Sequence, residues 1–129
     1  MTVTDVPADT DRFFTDDTFD FEFRDALGAT AYGVGDPGMW LATARQIVDG
    51  DRQSWFDAWT ARADQLADLA GDAAAHDDAR GASWAYLSAS AAYSKAMGAV
   101  DGLPTEEGNS VLLPTFRNSR RCWDAMIDA

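Results

Sequence analysis

The chain has 129 residues, 47% of them hydrophobic, and a formal net charge of −12 at pH 7. That length suits one domain with a core of its own, and the aromatic content favours folding over disorder. The negative field repels phosphate backbones and anionic lipid, so we expect neither nucleic acid nor a membrane surface as a partner. No secretory leader pattern and no apolar run near 18 residues occurs, which predicts a cytoplasmic location.

The start of the chain is acidic and lacks a sustained hydrophobic period. This predicts a flexible acidic arm at residues 1–18 and a helical domain at residues 19–129. Phe19, Phe21 and Phe23 then alternate with polar residues, a pattern typical of a strand. Because the rest of the chain offers no convincing partner strand, we predict a short extended lead-in and a helix over residues 21–31.

A helical corner is the most distinctive local feature. Pro37 follows a good N-capping residue and predicts a helix that covers residues 39–48. That helix stops at Gly50, and a second helix begins at Asp51 and runs to about residue 70. Trp55 and Trp59 are four residues apart and therefore lie on one face of the second helix. The pattern predicts the corner of an antiparallel helical hairpin, with four tryptophans in the core: Trp40, Trp55, Trp59 and Trp123.

Two more helices follow. An alanine- and aspartate-rich break at residues 71–78 precedes a third helix over residues 78–100. Its two apolar or aromatic stripes predict that it is covered on two sides. In a chain of about four helices the second cover stays open: it lies within these 129 residues or is supplied by a partner. A last helix covers residues 113–128, with an inward face formed by Phe116, Cys122, Trp123 and Ile127. The fold class predicted is all-α, a bundle of about four to five helices arranged as antiparallel helical hairpins.

The sequence contains none of the usual catalytic motifs: no nucleophile elbow, no phosphate-binding loop and no paired cysteines at metal-ligand spacing. The single histidine, His76, is interpreted as a solvated loop residue, and the single cysteine, Cys122, as an inert core thiol. We therefore predict no catalytic residue, no metal site and no cofactor within this chain.

Five segments, in this order, resemble one protein family: FEFRDALG (residues 21–28), AYG (31–33), LATARQIVDGD (41–51), SWFDAW (54–59) and AYLSAS (85–90). They are similar to the N-terminal helical region of α/β-hydrolases of the 2,6-dihydroxypseudooxynicotine hydrolase type, which are often grouped with peptidase-like serine hydrolases. The corner GD-x-x-SW-x-x-AW is the most specific part. The chain departs from the family at Ser83 and Ser88, which stand where arginines are expected, and at Met39, which stands where an acidic residue is usual.

The resemblance implies a helical cap over an active site. In that family a Ser–Asp–His hydrolase domain follows the cap and cleaves carbon–carbon or ester bonds in aromatic or polyketide-like substrates. None of its catalytic residues has a counterpart in this chain. The implied partner is an α/β-hydrolase catalytic domain on the same or a neighbouring chain, and a homodimer is possible. Three residues of the third helix are the candidates for lining a substrate pocket: Tyr86, Tyr93 and Met97. An alternative that stays open is that they belong to the core of a closed bundle.

Two other functions remain as alternatives. One is a free-standing helical-hairpin interaction module similar to tetratricopeptide repeats, although no 34-residue period appears. The other is a small all-α enzyme or ligand binder, which the missing motifs disfavour. Exposed apolar surface separates them, because a cap without its partner should self-associate or bind a hydrophobic dye, whereas a self-sufficient module should not.

Overall fold

The computed structural model describes residues 11–129, and over this range the chain is helical without a strand. Five α-helices follow one another: α1 (Asp17–Ala29), α2 (Pro37–Ala44), α3 (Arg52–Ala75), α4 (Ala79–Met97) and α5 (Thr105–Asp128). Short 3-10 turns follow α1 and α4, at Thr30–Tyr32 and Val100–Gly102. The predicted all-α bundle is confirmed. None of the helices in the described range is both long and apolar enough to cross a bilayer.

The long helices pack in chain order. Helix α4 lies between α3 and α5, and these two contacts are the most extensive in the molecule. A connection of only three residues joins α3 to α4, which makes them an antiparallel hairpin. Helices α1 and α2 pack near the start of α3, so α5 is the edge of the bundle on the other side. Helices α3 and α5 therefore cover α4 on two sides, as its two stripes predict, and both belong to this chain.

Helix α1 replaces the predicted extended lead-in. It begins at Asp17, and the carboxylate of Asp16 caps it by accepting a hydrogen bond from the Phe19 backbone N–H at 3.0 Å. On a helix the alternating phenylalanines separate: Phe19 and Phe23 share one face and are buried, whereas Phe21 is 69% exposed. The period of two was therefore a misleading indication of a strand.

The corner between α2 and α3 forms as the capping residues indicate. Asp51 caps α3 by accepting a hydrogen bond from the Gln53 backbone N–H at 3.0 Å, and Gly50 takes a φ of +81°. The predicted ends are less accurate: α2 stops at Ala44, four residues early, and α3 continues through Gly71 to Ala75. Because a single glycine costs a helix only about 1 kcal/mol, tertiary packing of α3 on α4 can carry the helix past it.

The core is a cluster of aromatic rings at this corner. Trp59 lies 5.1 Å from Trp40 and 5.8 Å from Trp55, measured between ring centroids, and Phe19 lies 4.6 Å from Trp55. The assignment of these three tryptophans to the core is confirmed. It is wrong for Trp123, which is 44% exposed on α5.

The buried face of α4 is made mostly of small residues, and Tyr93 is the one large side chain that is fully buried on it. Its fully buried positions include Ala82, Ala85, Ser88, Ala89, Ala92 and Ala96. Small side chains allow neighbouring helices to approach closely, whereas the large residues Trp84 and Leu87 are only half-buried. The predicted stripe that contains Trp84 and Leu87 therefore lies beside the packed face, whereas the stripe that contains Tyr93 is partly within it.

Residues 11–18 are the part of the predicted arm that the structure describes, and they pack against the helical domain. Phe14 is buried against Phe19 and Phe23, and the carboxylate of Asp49 accepts hydrogen bonds from the backbone N–H groups of Thr15 and Asp16 at 2.7 and 3.1 Å. The body therefore begins before residue 19. The rest of the predicted arm, residues 1–10, lies outside the described residues.

Asp20 fastens this segment to α1, and its environment predicts a dependence of stability on pH. Burial alone would raise the pKa of Asp20, but hydrogen bonds from the Arg24 side chain and from the backbone N–H groups of Phe13 and Phe14 lower it below its ordinary value. A lowered pKa in the folded state stabilises the fold above the unfolded pKa, about 3.9, and this contribution disappears as the pH falls through the folded value.

We therefore expect Asp20→Asn to be less stable than wild type near neutral pH and to lose less further stability on acidification below about pH 4. Urea unfolding followed by circular dichroism across that pH range measures both effects. Parallel stability curves for the variant and the wild type would contradict the assignment.

Candidate functional site

The three predicted pocket residues lie in different surroundings. Tyr93 is 2% exposed, and its hydroxyl donates a hydrogen bond to the Asp64 carboxylate on α3. Burial, followed by the bond to Asp64, raises the pKa of the Tyr93 phenol above its ordinary value, so the group stays protonated. Tyr86 is half-buried against the core, and only Met97 lines an open groove. The structure therefore does not gather the three residues around one cavity, and their role in a substrate pocket stays a prediction.

The groove that contains Met97 runs between α4 and α5 and has a volume of about 270 Å³. Its walls combine Met97 and two aromatic side chains with three serines, and Arg120 also lines it. The lining residues are Ser90, Ser94 and Met97 of α4 and Phe116, Ser119, Arg120 and Trp123 of α5. We call it the α4–α5 groove.

Three serine hydroxyls form the polar part of this groove. The Ser119 hydroxyl donates to the Ser90 carbonyl oxygen at 3.0 Å, and its oxygen lies 3.1 Å from the Ser90 hydroxyl and 3.3 Å from that of Ser94. No imidazole or carboxylate among the described residues bonds to these hydroxyls, so the arrangement lacks the base that activates a serine nucleophile. It can offer hydrogen bonds to a group that enters the groove.

A continuous apolar face extends from the groove across the surface of α5. Its members fall on one side of the helix, with Arg120 between Phe116 and Trp123, and each is between 44% and 62% exposed: Leu112, Leu113, Phe116, Trp123 and Ile127. We call this set the outer face of α5. The prediction that Phe116, Trp123 and Ile127 point inward is wrong; Cys122, predicted with them, is buried.

The reason for that error lies in how α5 packs. The buried residues of α5 are all small: Gly108, Thr115, Ser119 and Cys122. A side chain at Gly108 would place a Cβ 3.0 Å from the Val100 carbonyl oxygen, so this position is closely packed. Helix α5 begins at Thr105, eight residues before the predicted start. Because its small residues form the buried side, its bulky apolar residues are left on the outside.

The outer face of α5 also carries an unusual charge. Residues 108–123 contain no aspartate or glutamate but include three arginines, Arg117, Arg120 and Arg121, in a chain with 10 basic and 22 acidic residues. All three are exposed. Arg120 lies within the apolar face, 3.1 Å from Asp124, whereas Arg117 and Arg121 form no ion pair with any residue in the described range. This surface is therefore locally positive on a strongly negative protein.

A larger but polar groove lies between α2 and α3, with a volume of about 640 Å³. The Arg62 guanidinium crosses it, donating to the Thr43 hydroxyl at 3.0 Å and to the Gln65 side-chain oxygen at 2.7 Å. Thr43 and Arg62 are 19 positions apart in no recognisable motif, so sequence reasoning had no means of pairing them. The groove can hold polar groups but brings no nucleophile and base together.

The groups that could act as a nucleophile, base or metal ligand are dispersed. His76 is exposed at the end of α3, where its Nδ1 lies 2.7 Å from the Asp72 carbonyl oxygen. Burial raises the pKa of the Cys122 thiol, which keeps it protonated and unreactive. Across residues 11–129 no three histidine, cysteine or acidic side chains converge as a metal site would require.

Comparison with known proteins finds relatives among fungal hydrolases. The chain is 36% identical to the hydrolase acrC of Aspergillus aculeatus over 117 residues, which is 91% of this chain and 27% of that protein. It is 42% identical over 78 residues to the 20-hydroxy-prefusarin hydrolase FUS2 of Gibberella moniliformis, which is 60% of this chain and 19% of that protein. The hydrolase LUC6 of a Fusarium species is 42% identical over 79 residues, again 19% of its length. No family model and no solved structure matches the chain.

The chain thus corresponds to a small part of larger hydrolases: the match spans between a fifth and about a quarter of the relatives' length. This agrees with the coarse form of the resemblance seen in the sequence, a hydrolase-related segment. The relatives' names do not specify the 2,6-dihydroxypseudooxynicotine hydrolase type.

Proposed function

We propose that this chain is a helical cap of an α/β-hydrolase, a serine hydrolase that acts on carbon–carbon or ester bonds. The cap is non-catalytic, and it shapes a substrate pocket, a dimer interface or both. The observation that carries the proposal is the extent of the match to acrC: nearly the whole chain aligns, yet it accounts for only 27% of that hydrolase. The chain is therefore comparable to about a quarter of a hydrolase, and its described residues do not bring a nucleophile and a base together. Both properties are typical of an accessory domain.

The geometry supports the same assignment. An isolated small domain rarely exposes a contiguous patch of large apolar residues unless that patch binds something. The outer face of α5 is such a patch, and it adjoins the α4–α5 groove through Phe116 and Trp123. Met97 is the best placed of the three predicted pocket residues to meet a substrate, since it lines this groove. The substrate class, aromatic or polyketide-like, rests on the resemblance seen in the sequence.

The second candidate is a free-standing helical-hairpin interaction module. One observation favours it: α3, α4 and α5 pack in chain order, as helices do in repeat arrays. A module of this kind presents its surface to a partner without belonging to an enzyme. The size and chemistry of the native gene product distinguish the two functions.

The test uses an antibody against this region on extracts of the cells that make the protein, with a fluorophosphonate probe for active-site serines. We expect a band on the order of 400 residues, the size of a cap plus one catalytic domain, that the probe labels. A matched sample heated before labelling controls for nonspecific reaction. A band at 14.0 kDa that neither carries nor co-purifies with labelled protein would exclude the cap and favour the interaction module.

A further inference from the structure

The outer face of α5 needs a partner that explains both its apolar residues and its arginines. Phe116 is 52% exposed and Trp123 44%, and aromatic residues of this kind form the centres of protein interfaces. Helix α5 has 24 residues and is therefore about 36 Å long, enough for an interface of standard size. Within the described chain its inward face is already occupied by α4.

We propose that the outer face of α5 is the surface on which the catalytic domain of the hydrolase docks. This inference rests on the proposed function and adds the partner surface to it. The docking domain presents an apolar patch bordered by carboxylates, and one of its side chains enters the α4–α5 groove above the hydroxyls of Ser90, Ser94 and Ser119.

The charge of the face indicates the chemistry of its partner surface, and the length of the relatives supplies the domain that can present it. Arg117 and Arg121 have no ionic partner in residues 11–129, although the chain carries 22 acidic residues. At intervals of four residues from Leu113, both border one side of the apolar face. A surface that bears carboxylates opposite them pairs with both, whereas a neutral or basic surface pairs with neither. The relatives contain the chain needed for such a domain, since the matched part makes only 19% to 27% of their length.

A second copy of this chain fits the face less well. Two chains that each carry a charge of −12 repel one another at long range. An isologous contact centred on α5 would also bring the arginines of one copy towards those of the other, because the same patch faces itself across a two-fold axis. The charge of the face therefore favours a different protein surface.

Hydroxyl-radical footprinting with mass spectrometry tests the proposal on two samples: the isolated 129-residue chain and the native gene product. We expect Phe116 and Trp123 to react at least about fivefold more slowly in the native product, since the centre of an interface excludes water. Phe21, 69% exposed, and Tyr32, 89% exposed, are the internal controls, because they lie on α1 and the turn after it. Their oxidation should be equal in both samples.

The outcomes separate this inference from the proposed function. If the native product is a probe-labelled hydrolase but Phe116 and Trp123 react as fast as in the isolated chain, the docking face is wrong and the cap stands. If the native product contains no hydrolase, both fail together. If the native product sediments as a dimer, and Phe116 and Trp123 lose their protection when it is diluted to the monomer, the occupant is a second copy and the proposal is overturned.

A pair of matched variants provides an independent readout in the native product. Phe116→Glu places a carboxylate within the docking face, so we expect Trp123 to regain the reactivity that it has in the isolated chain. Phe21→Glu makes the same change on an exposed surface of α1 and should leave the protection of Trp123 intact. Circular dichroism of the two variant chains verifies that both remain helical, and equal protection of Trp123 in both variants contradicts the proposal.

Discussion

Replacing Trp59 by alanine should destabilise the isolated chain by about 3–5 kcal/mol, the range observed when a fully buried large aromatic residue is truncated. Trp59 is 0% exposed and packs its ring against Trp40, Trp55 and Phe23. Its indole N–H has no hydrogen-bond partner among the described residues, so its contribution comes from packing and not from a polar contact. Urea unfolding followed by circular dichroism measures the loss without relying on tryptophan fluorescence.

Trp123→Ala is the matched control, since it removes the same side chain from a surface position. In the isolated chain we expect it to cost less than about 1 kcal/mol, because the residue is 44% exposed. Trp59→Phe should fall between the two, since it retains an aromatic ring and removes an unpaired donor. A loss below about 1 kcal/mol for Trp59→Ala would contradict the aromatic corner as the centre of the core.

The sequence allowed the corner to be predicted because its determinants are local. Asp51 specifies the start of α3 through hydrogen bonding, Gly50 supplies the positive φ of the turn just before it, and the spacing of Trp55 and Trp59 places both rings on one face. Each of these properties depends on residues within one or two turns. The fold class followed from the same local evidence. The predicted end of α2 at Gly50 was wrong, because that helix already ends at Ala44.

The packing of α4 could not be predicted in the same way. Helices approach closely where their side chains are small, and alanine or serine in a sequence does not indicate whether such an approach takes place. Ala85 and Ala92 are therefore fully buried, whereas Trp84, the largest side chain of the helix, is only half-buried. The position of the neighbouring helix decides which residues of α4 are buried.

The candidate site was missed for a related reason. Helix α5 has apolar residues on two adjoining faces, and the hydrophobic pattern alone does not say which face α4 covers. Cys122 is buried and Phe116 is not, although both were predicted to face inward. Met97 was found because it belongs to a stripe of α4 that borders the groove, but its neighbours Ser119 and Trp123 come from a helix 20 or more positions further along the chain.

Gly35→Ala should be the most damaging single glycine substitution in the turn before α2. Gly35 has a φ of +76°, and a Cβ there would lie 2.1 Å from Cζ2 and 2.3 Å from Cε2 of the buried Trp40 ring. Its backbone N–H also donates to the buried Ser88 hydroxyl at 2.9 Å, which prevents the turn from moving away freely. The left-handed backbone costs about 1–2 kcal/mol and the overpacking about 1–3 kcal/mol, so we expect a total of about 2–5 kcal/mol.

Gly50→Ala separates the two contributions. Gly50 has a similar φ of +81°, but nothing lies within 4 Å of its added Cβ, so the variant should show only the backbone part, about 1–2 kcal/mol. Urea unfolding of both variants gives the comparison, and near-ultraviolet circular dichroism reports any displacement of the Trp40 ring in Gly35→Ala. Equal losses in the two variants would mean that Trp40 moves aside without cost. The close contact between the turn and the aromatic core would then not be what fixes α2 against α4.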